Sequence, residues 1–128
     1  MSAQATISSF VCVPTTAISG AGTTTGRALN IRTIQDISFQ AEWTGTLAGT
    51  FSFEISNYPP GSPPDQPAPG AKWTALTLPS TFAAGNPAGS AGNFDFSFVD
   101  MPHQWIRVKF TYTSGSGNLT VTANAKGV

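Results

Sequence analysis

Ile37-Ser38-Phe39-Gln40-Ala41-Glu42-Trp43 alternates without a break, apolar at every odd position and polar at every even one. Successive side chains of an extended strand point to opposite faces, so this rhythm describes a strand with one buried and one wetted side. Thr50-Phe51-Ser52-Phe53-Glu54-Ile55-Ser56 repeats it, and Phe94-Asp95-Phe96-Ser97-Phe98 repeats it again. Nearer the C-terminus, Ile106, Val108, Phe110 and Tyr112 alternate with Arg107, Lys109 and Thr111. Leu119, Val121 and Ala123 do the same with Thr120, Thr122 and Asn124. Strands wetted on one side belong to antiparallel sheets. No segment sustains a helical period. The expected fold class is therefore all-β, an antiparallel β-sandwich of about eight strands filling one domain.

Turn chemistry separates the strands. Residues 44–49 and 114–118 are short and glycine-bearing, which suits hairpins, because glycine supplies the positive φ of tight turns. Residues 1–28 read as an N-terminal strand, at about positions 6–13, followed by an arm in which 20–26 is a glycine- and threonine-rich link. Residues 58–72 read as a proline-rich loop inserted between strands, with six prolines between Tyr58 and Gly70. Proline fixes φ and cannot donate to a ladder, so this loop is expected to be a stiff, extended projection. A third irregular stretch, 83–92, is built of small residues.

Composition narrows the function classes. Only 9% of the residues are charged, against about 25% in an average soluble domain, and the six basic and six acidic residues cancel. No basic stripe marks a nucleic-acid partner. No apolar run is long enough to span a membrane. The Met1-Ser2-Ala3-Gln4 start shows no signal peptide, so synthesis in a cytoplasm is expected. A neutral surface of Thr, Ser, Asn and Gly leaves little repulsion between copies and so favours association. Cys12 is the single cysteine and lies in the apolar run Phe10-Val11-Cys12-Val13, which fits a buried structural thiol.

Catalytic constellations are hard to assemble from these residues. His103 is the single histidine, just ahead of a strand, and no Gly-x-Ser-x-Gly elbow exists. The acids are Asp36, Glu42, Glu54, Asp65, Asp95 and Asp100; Glu42 and Glu54 flank a common turn and could meet across it, but nothing marks a cleft. One His and one Cys cannot build a zinc cage, and calcium at Asp65, Asp95 or Asp100 has no EF-hand spacing behind it. The expectation is a non-enzyme with no catalytic residue, no cofactor and no metal. The aromatics remain. Trp43, Trp73 and Trp105 each sit at a strand end and serve either as core anchors, the default, or as a ligand platform; Tyr58, beside Pro59 and Pro60, fits both roles.

The order of these motifs resembles known proteins. Residues 49–57, then Trp73-Thr74-Ala75-Leu76, then Trp105-Ile106-Arg107-Val108-Lys109-Phe110, resemble galactose-binding-like and discoidin-like jelly rolls. With Thr113-Ser114-Gly115-Ser116-Gly117-Asn118-Leu119-Thr120 and Lys126-Gly127 added, the chain from about residue 33 onward is similar to a group of small tailed-phage and related virion proteins. Where those proteins have a tight Asn-Asp-Gly turn, this chain carries its proline-rich loop, which puts in doubt any binding role attached to that turn. The resemblance implies a jelly-roll-like sandwich located in the virion. The expected role is a bacteriophage capsid decoration or accessory protein on the outer shell, made in the host cytoplasm, with a carbohydrate-binding host-attachment module of a tail or spike as the alternative. The implied partners are the major capsid protein or tail proteins, further copies of the chain and, in the alternative, a glycan, with no nucleic acid or membrane. Tyr58, Pro59, Pro60, Pro63, Pro64 and Trp73 are the expected contact surface, because stiff segments lose little entropy on binding.

Overall fold

Each alternating segment is a strand in the computed structural model, which describes residues 7–32, 34–62, 64, 66–76, 92–99 and 102–127. The elements are β1 (Ile7–Ile18), β2 (Thr23–Thr25), β3 (Leu29–Asn30), β4 (Ile34–Trp43), β5 (Ala48–Ser56), β6 (Thr74–Ala75), β7 (Gly92–Val99), β8 (Trp105–Ser114) and β9 (Gly117–Gly127). No helix occurs among the described residues. The strands form two antiparallel sheets, one in the order β1-β9-β4-β7, the other β2-β8-β5-β6 with β3 also on β8.

β2 and β3 lie end to end along β8, pairing with Lys109–Thr111 and with Trp105–Ile106, and Gly26 between them donates its N–H to Val108 O at 2.7 Å. They are two halves of one interrupted strand. Counted that way, eight strands make two four-stranded sheets in which every chain-adjacent connection except that between β5 and β6 crosses from one sheet to the other. This is jelly-roll connectivity. The discoidin-like part of the resemblance gains no separate support from these pairings.

Three sequence expectations need correction. Residues 44–49 and 114–118 are not hairpins: β4 and β5 lie in different sheets, as do β8 and β9. Alternation marks which side of a strand is buried, and that side is the same whether the next strand pairs beside it or packs across from it. Residues 20–26 are not only a link, since Thr23–Thr25 is β2. The first strand extends well past residue 13, to Ile18, and bends through register shifts between Val11 and Val13 and between Val13 and Thr16. Pro14 is tolerated there because β1 is an edge strand. Residues 83–91 lie outside the described residues.

The core fills the space between the sheets. Phe39 and Ala41 from β4, Phe96 from β7, and Val121 and Ala123 from β9 face Phe51, Phe53, Val108 and Phe110 from β5 and β8. Rings interlock across the seam: Phe39 and Phe53 have centroids 4.9 Å apart, and Phe53 and Phe96 meet edge to face at 5.2 Å. Such pairs contribute roughly 0.5–1.5 kcal/mol each beyond their burial.

Candidate functional site

The proline-rich segment is folded back on the sandwich and is not a projection. Ser56, at the end of β5, is buried, and its Oγ accepts a hydrogen bond from Tyr58 N at 3.1 Å. Tyr58 O then accepts from Trp105 Nε1 at 2.8 Å. Trp105 faces outward in the register, opposite Ser56, yet it is fully buried. The chain that follows closes on itself: Ala68 donates to Pro59 O at 2.9 Å, Gly61 donates to Gln66 O at 2.7 Å, and Pro60 bridges to Pro67. Gln66 Nε2 fastens the segment to Ala28 O at 3.1 Å. The prolines stiffen a flap tied to the sandwich. Proline's missing donor does no harm here, since the flap's internal bonds are donated by Gly61 and Ala68.

The expected contact residues fall into distinct settings. Pro59, Pro60 and Pro64 are exposed on this flap, Tyr58 is half-buried beneath it, and Pro63 lies outside the described residues. Trp73 is half-buried, just ahead of β6, with the Arg107 guanidinium 4.0 Å from its ring centroid. Arg107 is held in turn by Glu54, its Nε 2.7 Å and its Nη2 2.6 Å from Oε1, while Lys109 Nζ stands 3.7 Å from Oε2. One face of Trp73 is thus occupied by a cation whose position is fixed, an arrangement worth about 0.5–1 kcal/mol at a partly exposed site. Trp43 and Trp105 are core residues.

The acids do not assemble. Glu42 and Glu54 belong to different sheets and lie on opposite outer faces, so they do not meet across the turn between them. No group of three or more His, Cys, Asp or Glu side chains comes together among the described residues. Burial pushes the Cys12 thiol up to about 12, with Arg27 pulling weakly the other way, which keeps it a protonated, apolar side chain.

Two features escaped the sequence. One is the outer face of the β1-β9-β4-β7 sheet. Val11, Thr122, Gln40 and Asp95 form one row across its four strands, and Ser9, Asn124, Ser38 and Ser97 the next. Ser9 Oγ donates to Asn124 Oδ1 at 2.6 Å, and the Thr15 and Thr120 hydroxyls lie 2.8 Å apart. Asp95 is the one charge in these two rows, and Val11, 54% exposed, is the large apolar side chain left in solvent. The polar phase of each strand was visible in the sequence, but its assembly into one face depends on pairings that bring residue 9 beside residue 124. The second feature is a pair of open grooves sharing Asn57 and His103 as lining residues, with Arg32 in one and Lys72 in the other. Their walls come from four separated stretches of chain, and no local motif signals them.

No family profile matches the sequence, and no curated protein matches it. Solved structures do. The chain is similar to the SPBc2 prophage-derived protein YomS at 14% identity, covering 99% of this chain and 98% of that one, with a TM-score of 0.49. It is similar to a chain of the infectious bursal disease virus Gx strain at 14% identity and a TM-score of 0.49, covering 98% of this chain but 33% of the viral one, so it spans about a third of that chain's length. BiXyn10A CBM1 in its apo form is similar at 13% identity and a TM-score of 0.41, over 95% of this chain and 91% of that one. The neighbours are thus a prophage-derived protein, a virus chain and a carbohydrate-binding module, and the β-sandwich assignment itself rests on the strand pairings of this molecule.

Proposed function

We propose that the protein is a virion structural component, a bacteriophage capsid decoration or accessory protein that docks on the outer shell and beside copies of itself, with no catalytic step. The observation that carries this is the outer face of the β1-β9-β4-β7 sheet, whose two central rows of mainly hydroxyl and amide side chains hold one charge, Asp95, with Glu42 beyond them at one end and the Asp36–Lys126 pair at the other. Four strands about 4.8 Å apart and about eight residues long present on the order of 500 Å². A stable pairwise interface takes about 800 Å² per partner, so this face alone supports a weak contact. Weak contacts suit a shell, where many identical neighbours act together and multivalency supplies the affinity. Hydroxyl and amide side chains already ordered by their neighbours lose little freedom when covered. The exposed prolines of the flap add a second stiff contact on the opposite sheet.

Mass spectrometry of purified particles released from the cell that carries the gene tests the proposal. The protein is expected among the structural components at a copy number comparable with a shell lattice. Its presence only in the soluble fraction of the lysate would contradict a virion role.

A further inference from the structure

The two grooves point to a ligand that the assembly role does not need. Arg32, Asn57, His103 and Gln104 line one, and Asn57, Lys72, Thr74 and His103 line the other, so the two adjoin at Asn57 and His103. They sit where the link between β3 and β4, the end of β5 and the approaches to β6 and β8 converge.

The floor is preorganised. Asn57 Oδ1 accepts from Gln104 N at 3.0 Å, which leaves the Asn57 amide N–H groups free to face the groove. Asn30 Oδ1 accepts from both Arg32 N and Gln104 Nε2, each at 3.1 Å, and Ile31 N donates to Gln104 O at 2.8 Å. These bonds fix the segments carrying Arg32 and His103 relative to β5 and β8.

Charge gives the ligand its sign. Arg107 and Lys109 are engaged by Glu54, and Lys126 stands opposite Asp36 in the β4–β9 register. Arg32, Lys72 and His103 form no ion pair with any described residue, and no described carboxylate lines either groove. Among the described residues, the cations without an ion-pair partner thus line these two adjoining grooves.

Size and lining give the class. The grooves hold about 320 Å³ and about 220 Å³. A bare oxyanion fills only about 60 Å³, twice a water's share of volume, so the site suits something longer. Ile55 and Pro102 are the apolar contributors, too few for the pockets that grip peptide side chains. Amide, hydroxyl and cationic groups in two adjoining grooves match hydroxyl-bearing rings that carry acid groups. We infer that the Arg32–Asn57–Lys72–His103 groove binds an acidic saccharide, with its carboxylate or phosphate group between Arg32 and Lys72 and its hydroxyls on Asn57, Thr74 and Gln104.

Calorimetric titration of the intact protein in about 50 mM salt, where screening is weak, decides the matter. Trigalacturonate and glucose 6-phosphate supply the carboxylate and phosphate arms, maltotriose the neutral sugar, inorganic phosphate the bare ion and triglutamate the acidic peptide. At least one acidic sugar is expected to bind more than tenfold tighter than maltotriose, phosphate and triglutamate. The exposed-residue variant Arg32→Gln/Lys72→Gln, which keeps its circular dichroism and Tm, is expected to weaken that binding at least tenfold, and His103→Gln to weaken it less. Equal binding of phosphate or triglutamate, undiminished binding by the double variant, or no binding of either acidic sugar would each overturn the assignment. None of these outcomes bears on particle association, so failure here and failure of the shell-docking role are distinguishable.

Discussion

Cys12 shows how one position is determined by its surroundings. It lies within the first bulge of β1, buried, with its carbonyl accepting Arg27 N at 2.9 Å. Its thiol is raised from 9.0 to about 12, mainly by burial. The sign follows from linkage: between those values the folded chain holds a proton that the unfolded chain gives up. The stabilisation is complete below pH 9 and is lost as pH rises toward 12. Two outcomes are expected. A thiol reagent at pH 8 should label Cys12 only after denaturant is added, and Tm should fall between pH 9 and 11 less steeply in Cys12→Ala than in the parent. Labelling of the native protein within minutes would contradict the buried placement. The apolar run around Cys12 made this residue legible in the sequence. Trp105 was less so: its register turns it outward, and only the flap fastened at Tyr58 O makes it core.

At the scale of elements, the two corners that alternation alone could not place explain how the sheets are clasped. Residues 44–47 and 114–118 lie side by side as they cross between the sheets. Thr44 N donates to Asn118 O at 3.0 Å and Thr46 N to Ser116 O at 2.8 Å, while Asn118 N and Ser116 N donate to the Thr44 and Thr46 hydroxyls at 3.0 and 3.2 Å. Leu47 plugs the core beneath. Backbones this close leave no room for side chains: a Cβ at Gly117 would overlap Thr44 O, and one at Gly115, where φ is 80°, would overlap Thr46 O. Gly117→Ala should therefore cost about 2–3 kcal/mol, as overpacking does, and lower Tm by roughly 6–12 °C. Gly20→Ala, which meets open space, should stay within about 0.5 kcal/mol. Equal melting of the two variants would refute the clasp. The sequence marked both stretches as turns, correctly, from their glycines. It could not show that each turn's partner is the other turn, because that contact joins positions some 70 residues apart.

For the whole molecule, local pattern reached the class of fold and stopped short of its wiring. Alternation and the absence of a helical period predicted the all-β sandwich, and the buried odd positions of β4 follow that pattern residue by residue. Strand order is a different matter, since β1 pairs along its length with β9 and no stretch of sequence records a pairing between the two ends of the chain. The same holds for function. Low charge was legible, but the joining of hydroxyl and amide side chains from four strands into one face, and the gathering of Arg32, Lys72 and His103 at one end, emerge only after folding. The shell-docking role predicts that introducing charge on that face abolishes attachment without disturbing the fold. Gln40→Glu/Thr122→Glu places two carboxylates side by side at exposed, directly paired positions. The decisive measurement is co-sedimentation of the purified protein with particles lacking it. The parent protein should pellet with saturable stoichiometry while the variant, with native circular dichroism, stays in the supernatant; a parent that never pellets, or a variant that pellets equally well, would contradict the role assigned to this face.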